Sequence, residues 1–190
     1  MAAKGEKTRE AILDASYGLF AAKGFKQVTM KDVCEVTNMS RGGLYSHFSG
    51  TEELFEAILN RSVTSAYPDF QSQIDSGVSA ISILQNTFDV MEKEMMHPEN
   101  SLSAAIYEYA DTVNSDVLKK LNRAAVRHWS SLIRYGISTH EFLDVDVDEI
   151  VNIILFSYQG ARMWSRIIDM KRSTFRSITN NIMRQLTGVE

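Results

Sequence analysis

An all-α protein of about nine helices is what this sequence predicts. Three observations carry that reading. Apolar residues recur at i, i+3, i+4 and i+7 along most of the chain, while alternating, strand-like runs are scarce. Only two prolines, Pro68 and Pro98, interrupt 190 residues, so helix breakers are few. Hydrophobic residues make up 44% of the chain, enough to bury a core and too many for disorder.

Taken in order, Thr8 to Lys23 reads as the first helix, with Ile12, Leu13, Ser16, Leu19 and Phe20 in one stripe and Gly24 as its stop. Phe25 and Val28 anchor the connection. Thr29 caps a second helix, Met30 to Thr37, and Asp32 supplies a carboxylate three residues on. Thr37-Asn38-Met39 forms a tight polar turn, and Ser40 caps a very short third helix in which Leu44 and Phe48 face inward. Arg41, Gly42 and Gly43 stand at its exposed beginning, and Tyr45, Ser46 and His47 point outward. Two short helices, a tight turn and a capped second helix outline a helix-turn-helix, a motif that reads the DNA major groove. Ser49-Gly50 breaks the chain, and Thr51 caps a fourth helix with Glu52 and Glu53 in its first turn. That helix ends or kinks at Tyr67-Pro68. Further helices follow over Val78–Met96, Leu102–Thr112, Ser115–Thr139, Val147–Met170 and Ser173–Leu186. The helix from Val147 is apolar almost all round, which predicts burial on several sides.

Charge and motifs narrow the function. The net charge is −4. Residues 1–51 hold seven Lys/Arg and five Asp/Glu, whereas residues 52–190 hold thirteen and nineteen, so a mildly basic head precedes an acidic body. Enzyme signatures are lacking: Gly42-Gly43 follows no strand, there is no Gly-x-Ser-x-Gly, and Asp144 to Glu149 lacks the glycine of a calcium loop. Neither a cofactor nor a metal is expected, since His97, His128 and His140 show no ligand spacing. Cys34, the only cysteine, reads as a small buried hydrophobe in a reducing, cytoplasmic setting. No apolar run is long enough for a membrane span, and the N-terminus lacks a signal-peptide core.

Residues 8 to about 56 resemble the DNA-binding head of the TetR (tetracycline repressor-like) family of bacterial regulators. The pattern is Ile12, Ala15, Leu19-Phe20, Gly24-Phe25, Thr29-Met30, Val33, Ser40-Arg-Gly-Gly-Leu-Tyr45-Ser-His-Phe48 and Glu53-Leu54-Phe55. Two departures stand out. Asn38-Met39 replaces the usual Ala-Gly-Val before the cap, and Thr51 occupies the position of a phosphate-binding Lys. The resemblance implies a homodimer that reads a palindromic operator in double-stranded DNA, with a C-terminal body that binds a small molecule. It divides the chain into a head over 1–50, a connecting fourth helix over 51–66, and a ligand-binding and dimerisation body over 67–190.

The DNA-contact residues expected on this basis are Thr29, Lys31, Ser40, Arg41, Gly42, Gly43, Tyr45, Ser46, His47 and Thr51. Arg41 is the base reader, since Arg pairs with guanine O6 and N7. Tyr45 and His47 match family phosphate-contact positions. A lipophilic effector would be lined by Phe88, Met91, Met95, Tyr107, Trp129 and Tyr158, with Asn86, His128, Gln159 and Arg162 as polar members. Most such residues in a bundle are ordinary core. Phe156, Tyr158, Gly160, Trp164, Ile168, Phe175, Ile178 and Ile182 are the dimer candidates, Gly160-Ala161 permitting close helix approach. A helical small-molecule-binding dimer whose head docks a protein is the alternative.

Overall fold

The computed structural model describes residues 2–65 and 70–189. The helices are α1 (Ala2–Lys23), α2 (Met30–Thr37), α3 (Arg41–Tyr45), α4 (Thr51–Ser65), α5 (Phe70–Asp75), α6 (Ala80–Met96), α7 (Ser103–Thr112), α8 (Asp116–Ser138), α9 (Val147–Trp164) and α10 (Arg172–Thr187). A 3-10 turn, Pro98–Asn100, precedes α7. No strand occurs among the described residues. The expected break at Tyr67-Pro68 lies outside them.

The chain forms two compact units. The first comprises Met1–Ala66 with Glu99–Leu118, the second Tyr67–Pro98 with Lys119–Glu190. α7 therefore packs with the N-terminal helices, although the sequence places it within a contiguous C-terminal body.

In the first unit the inward stripes of α1 and α4 meet, burying Ile12, Leu13, Phe20, Leu54, Phe55 and Ile58. Phe20, Phe25, Phe55 and Tyr109 form a ring cluster, with Phe25 edge-on to Tyr109 at 5.0 Å. α7 contributes Leu102, Ala105 and Tyr109 to this core. The Tyr109 hydroxyl donates to Glu56 on α4. Burial, then that carboxylate, pushes its phenol above the ordinary value. Glu108, next to it, accepts the Lys26 N–H at 2.9 Å and so holds the α1–α2 connection.

In the second unit α5, α6, α8, α9 and α10 surround a core of Phe70, Ile83, Leu84, Trp129, Leu132, Ile133, Ile154, Phe175, Ile182 and Leu186. Glu141 ties the α8–α9 connection to the start of α6, accepting from the Ser79 hydroxyl and the Ala80 and Ile81 N–H groups. Glu92 of α6, 9% exposed at its side chain, is gripped by Arg176 of α10 through two nitrogens at 2.7 and 3.2 Å.

The structure differs from the sequence reading in several places. α5 has no counterpart there, because six residues, Phe-Gln-Ser-Gln-Ile-Asp, are too short to display a 3.6-residue period. α1 begins earlier, at Ala2. α9 ends at Trp164 rather than Met170, where the Ile167 and Ile168 N–H groups turn back onto the Trp164 carbonyl. Nor is α9 buried all round, for Phe156 is 70% and Trp164 57% exposed. Thr51 is the first residue of α4 rather than its cap. The Leu54 N–H bonds to the Gly50 carbonyl, and Glu53 reaches back to the Ser49 N–H and hydroxyl, both at 2.7 Å. Those two bonds, the Ser49 N–H first, draw the Glu53 carboxyl below its usual range.

Candidate nucleic-acid interface

α2 and α3 are built by local hydrogen bonds that their sequence encodes. The Asp32 N–H donates to the Thr29 hydroxyl oxygen at 3.2 Å, while the Thr29 N–H donates to the Asp32 carboxylate at 2.8 Å, a reciprocal capping box. Lys23 reaches the same carboxylate at 2.7 Å. Lys23 first, then Thr29, holds Asp32 well below the usual carboxylate range. At the other end Asn38 adopts the left-handed conformation, φ 54, and its N–H returns to the Cys34 and Glu35 carbonyls. Asn tolerates this backbone better than most residues, so the departure from Ala-Gly-Val keeps the turn.

Ser40 caps α3 as expected, its side chain accepting from the Gly43 N–H at 3.2 Å. α3 itself is only Arg41–Tyr45. Leu44 and Phe48 are buried and fix it to the core of the first unit. Arg9 of α1 lies 4.7 Å over the Phe48 ring and backs the segment from beneath. No local pattern signals that contact, which joins residues 39 positions apart.

The outward side chains then sort themselves. Arg41 is exposed and makes no ion pair among the described residues. Gly42 is exposed, and a Cβ there would meet nothing within 4 Å, so its backbone is open to close approach. A Cβ on Gly43 would stand 3.2 Å from the Ser40 oxygen, which makes glycine the residue that fits the cap. Tyr45 is 51% exposed. Lys31 is exposed and loosely paired with Glu35 at 3.7 Å, an arrangement worth little in water. Three expected contacts are partly committed elsewhere. The Thr29 hydroxyl serves the capping box, the Ser46 hydroxyl donates to the Gly43 carbonyl at 2.7 Å, and His47 is half-buried rather than outward-facing. Thr51 is half-buried as well. Cys34 is half-buried at the edge of the same core.

The expected effector residues come together only in part. Phe88, Met91, Met95 and Trp129 are buried in the core of the second unit. His128 stacks on Phe70 with ring centroids 3.9 Å apart, and Trp129 meets Phe70 edge-on. Tyr158 donates its hydroxyl to Glu94, with the Arg162 guanidinium 5.1 Å over its ring. Asn86 and Gln159, by contrast, are exposed to solvent, and Tyr107 is 60% exposed on α7 in the first unit. These three do not join the others, because residue type and the family resemblance put them in the set and neither fixes which way a side chain faces. Two grooves lie elsewhere. One of about 490 Å³ in the first unit is lined by residues such as Lys7, Ala11, Val36 and Met39. One of about 770 Å³ in the second unit is lined by residues such as Ile81, Gln85, Asn180 and Arg184.

Among the dimer candidates, Phe156, Trp164 and Ile168 are 70%, 57% and 50% exposed. Gly160 has open space where a Cβ would stand, and Tyr158 and Ile178 are half-buried. Phe175 and Ile182 are 2% and 3% exposed. Both are spent within the core of their own unit and are withdrawn from the interface.

A helix-turn-helix held by two caps and presenting Arg41-Gly42-Gly43 defines a DNA-reading module. Residues 12–58 match the family model for bacterial regulatory proteins of the tetR family. The chain is 29% identical over 145 residues to the HTH-type transcriptional regulator YfiR of Bacillus subtilis, covering 74% of this chain and 70% of that one. Over 152 residues it is 23% identical to the HTH-type transcriptional repressor KstR2 of Mycolicibacterium smegmatis, covering 77% and 73%. A TetR-family transcriptional regulator from Agrobacterium tumefaciens has the same fold, with a TM-score of 0.82, 14% identity, and coverage of 96% of this chain and 99% of that one. The chain belongs to the TetR family of regulators.

Proposed function

We propose that this protein is a homodimeric transcriptional repressor whose paired heads read a palindromic operator and are released by a small lipophilic effector. The DNA-binding, regulatory part follows from family membership. The observation that carries the residue assignment is the exposed Arg41-Gly42 pair, held with Gly43 on a core-anchored α3. Arg41 reads a base edge in the major groove, Gly42 lets the backbone approach the duplex, and Tyr45 and Lys31 meet phosphates. Thr51 provides a hydroxyl where the family usually has a cation, which makes the salt dependence of the head shallow.

Dimerisation is assigned to the exposed apolar face of α9 and the turn after it, where Phe156, Gly160 and Trp164 recur at four-residue spacing, with Ile168 beyond. Two heads related by a two-fold axis then address half-sites about 34–36 Å apart or a multiple of this. The effector is assigned to the second unit, near the Phe70–His128 stack and the Tyr158–Arg162 pair, whose aromatic surroundings favour a lipophile. DNA and effector weaken each other reciprocally, because they favour different head spacings.

Binding-site selection on random duplex DNA tests the reading. Recovery of a palindrome is expected. Arg41→Ala then relaxes preference at one position per half-site by about 1–3 kcal/mol, whereas Tyr45→Phe weakens all sequences evenly. No enrichment by folded, dimeric protein would instead favour a head that docks a protein.

A further inference from the structure

We infer that the outer face of α8 is a second surface for duplex DNA, one that takes the phosphate backbone without reading sequence. The inference rests on the DNA-binding function above. Lys119, Lys120, Arg123, Arg127 and Arg134 are all exposed. At about 100° per residue they fall within an arc of about 100°. The opposite side of the helix buries Ala125, Trp129, Leu132 and Gly136. The stripe is about 22 Å long, the rise of about six base pairs. Asp116, in the first turn, is the only acid on the helix, and Lys120, Arg123, Arg127 and Arg134 form no ion pair among the described residues.

A merely solvated helix face mixes its signs. Here Lys119, Arg123 and Arg127 stand four apart, and Lys120 and Arg123 three apart, spacings at which like charges oppose helix formation. The unit that holds α2 and α3 shows the reverse balance. Met1–Ala66 with Glu99–Leu118 contains eight Lys/Arg and twelve Asp/Glu, a net of −4. Several of its cations are engaged internally: Lys23 with Asp32, Lys26 with Asp111, and Arg61 with Glu10 and Asp14. DNA affinity depends strongly on phosphate neutralisation, and the first unit supplies little of it. α8 carries five cations in one line. An anionic membrane is disfavoured as occupant, because membrane-surface helices flank their cations with Trp, Phe or Leu, and α8 exposes no large hydrophobic residue.

The test compares the wild type with the triple variant Arg123→Gln, Arg127→Gln, Arg134→Gln on a random-sequence duplex over a range of salt. Glutamine keeps helix propensity, and an unchanged or raised melting temperature verifies folding. Each lost phosphate contact lowers the slope of log affinity against log salt by about 0.9, so the slope falls by up to about 2.7 per protomer. Affinity at fixed moderate salt falls at least about tenfold on the same reasoning. A slope that stays the same while the wild type binds overturns the stripe and leaves the head reading intact. A wild type that binds no duplex overturns both. An unchanged duplex slope, with binding to polyglutamate or to anionic vesicles lost in the variant, assigns the stripe to an acidic protein or a membrane and likewise overturns the proposal.

Discussion

Replacing Gly24 by alanine should cost this protein far more than one methyl group suggests. Gly24 has φ +80, and a Cβ there would lie 2.7 Å from both carboxylate oxygens of Glu108. The left-handed backbone alone costs an L-residue about 1–2 kcal/mol. The carboxylate ends a flexible side chain and swings aside cheaply, but it then releases the Lys26 N–H that it accepts at 2.9 Å. A hydrogen bond to a charged acceptor is worth about 1.5–3 kcal/mol where sheltered, and about 1 kcal/mol at this solvent-exposed donor. Gly24→Ala should therefore destabilise by about 2–3 kcal/mol. At about 2–4 °C per kcal/mol for a chain of this size, Tm falls by about 4–12 °C. Circular dichroism melts of Gly24→Ala, Glu108→Ala and the double variant test the components separately. Because the new methyl group has already displaced Glu108, removing that carboxylate from the Gly24→Ala background should add less than about 0.5 kcal/mol. A Tm within about 2 °C of wild type for Gly24→Ala, or a Glu108→Ala cost that is the same in both backgrounds, would refute the reasoning.

Gly136 lies in mid-α8, with a would-be Cβ 2.1 Å from the buried Phe142 ring. Gly136→Ala should lose about 1–3 kcal/mol to overpacking, outweighing the helix-propensity gain of about 1 kcal/mol; a urea midpoint at or above wild type contradicts this. At Glu141 burial alone would raise the carboxyl's pKa, yet the bonds from Ser79, Ala80, Ile81 and Thr139 outweigh it and hold it below the ordinary carboxylate value. Its stabilisation is thus present above the ordinary carboxylate range and is lost as pH falls through the lowered folded value. Chemical denaturation from pH 7 downward should show Glu141→Gln converging on wild type in acid, and a constant gap between the two excludes the linkage. Gly160→Leu and Phe156→Arg should each shift the protein toward monomer in light scattering, and dimers that persist at low concentration in both variants remove that face of α9 from the interface.

What the sequence disclosed and what it concealed follow the range of the interactions involved. The Thr29–Asp32 box and the Ser40 cap each join residues three apart, so residue type and spacing were enough to place α2 and α3. The Glu108 hold on Lys26 spans 82 positions, and the Glu92–Arg176 pair spans 84; no local pattern announces either. Amphipathic stripes are a harder case. Phe175 and Phe156 both sit on apolar stripes, yet Phe175 is 2% and Phe156 70% exposed. A period of 3.6 identifies an apolar face without telling whether the same subunit or another molecule covers it. The expected effector residues rested on residue type and resemblance, neither of which fixes orientation, and Asn86 and Gln159 turn to solvent.

The placement of α7 bears on the proposed release by an effector. The sequence reading makes the fourth helix, 51–66, the connection between head and body. Yet the chain passes between the two units at residues 66–67, 98–99 and 118–119, and the last two passages flank α7. α7 is also firmly built into the first unit. Tyr109 is buried against Phe25 and Phe55 and bonded to Glu56, and Glu108 holds the Lys26 amide. Lys26 lies three residues before Thr29, the cap that starts α2. A rearrangement in the second unit that pulls on either end of α7 therefore acts on the α1–α2 connection directly, and on α4 through Glu56. Two of the three covalent routes converge on one helix, and that helix holds the α1–α2 connection three residues before the cap of α2. Under the proposed release by an effector, α7 is thus the helix that two of the three covalent passages share on the side of α2 and α3, and α4 follows the remaining one.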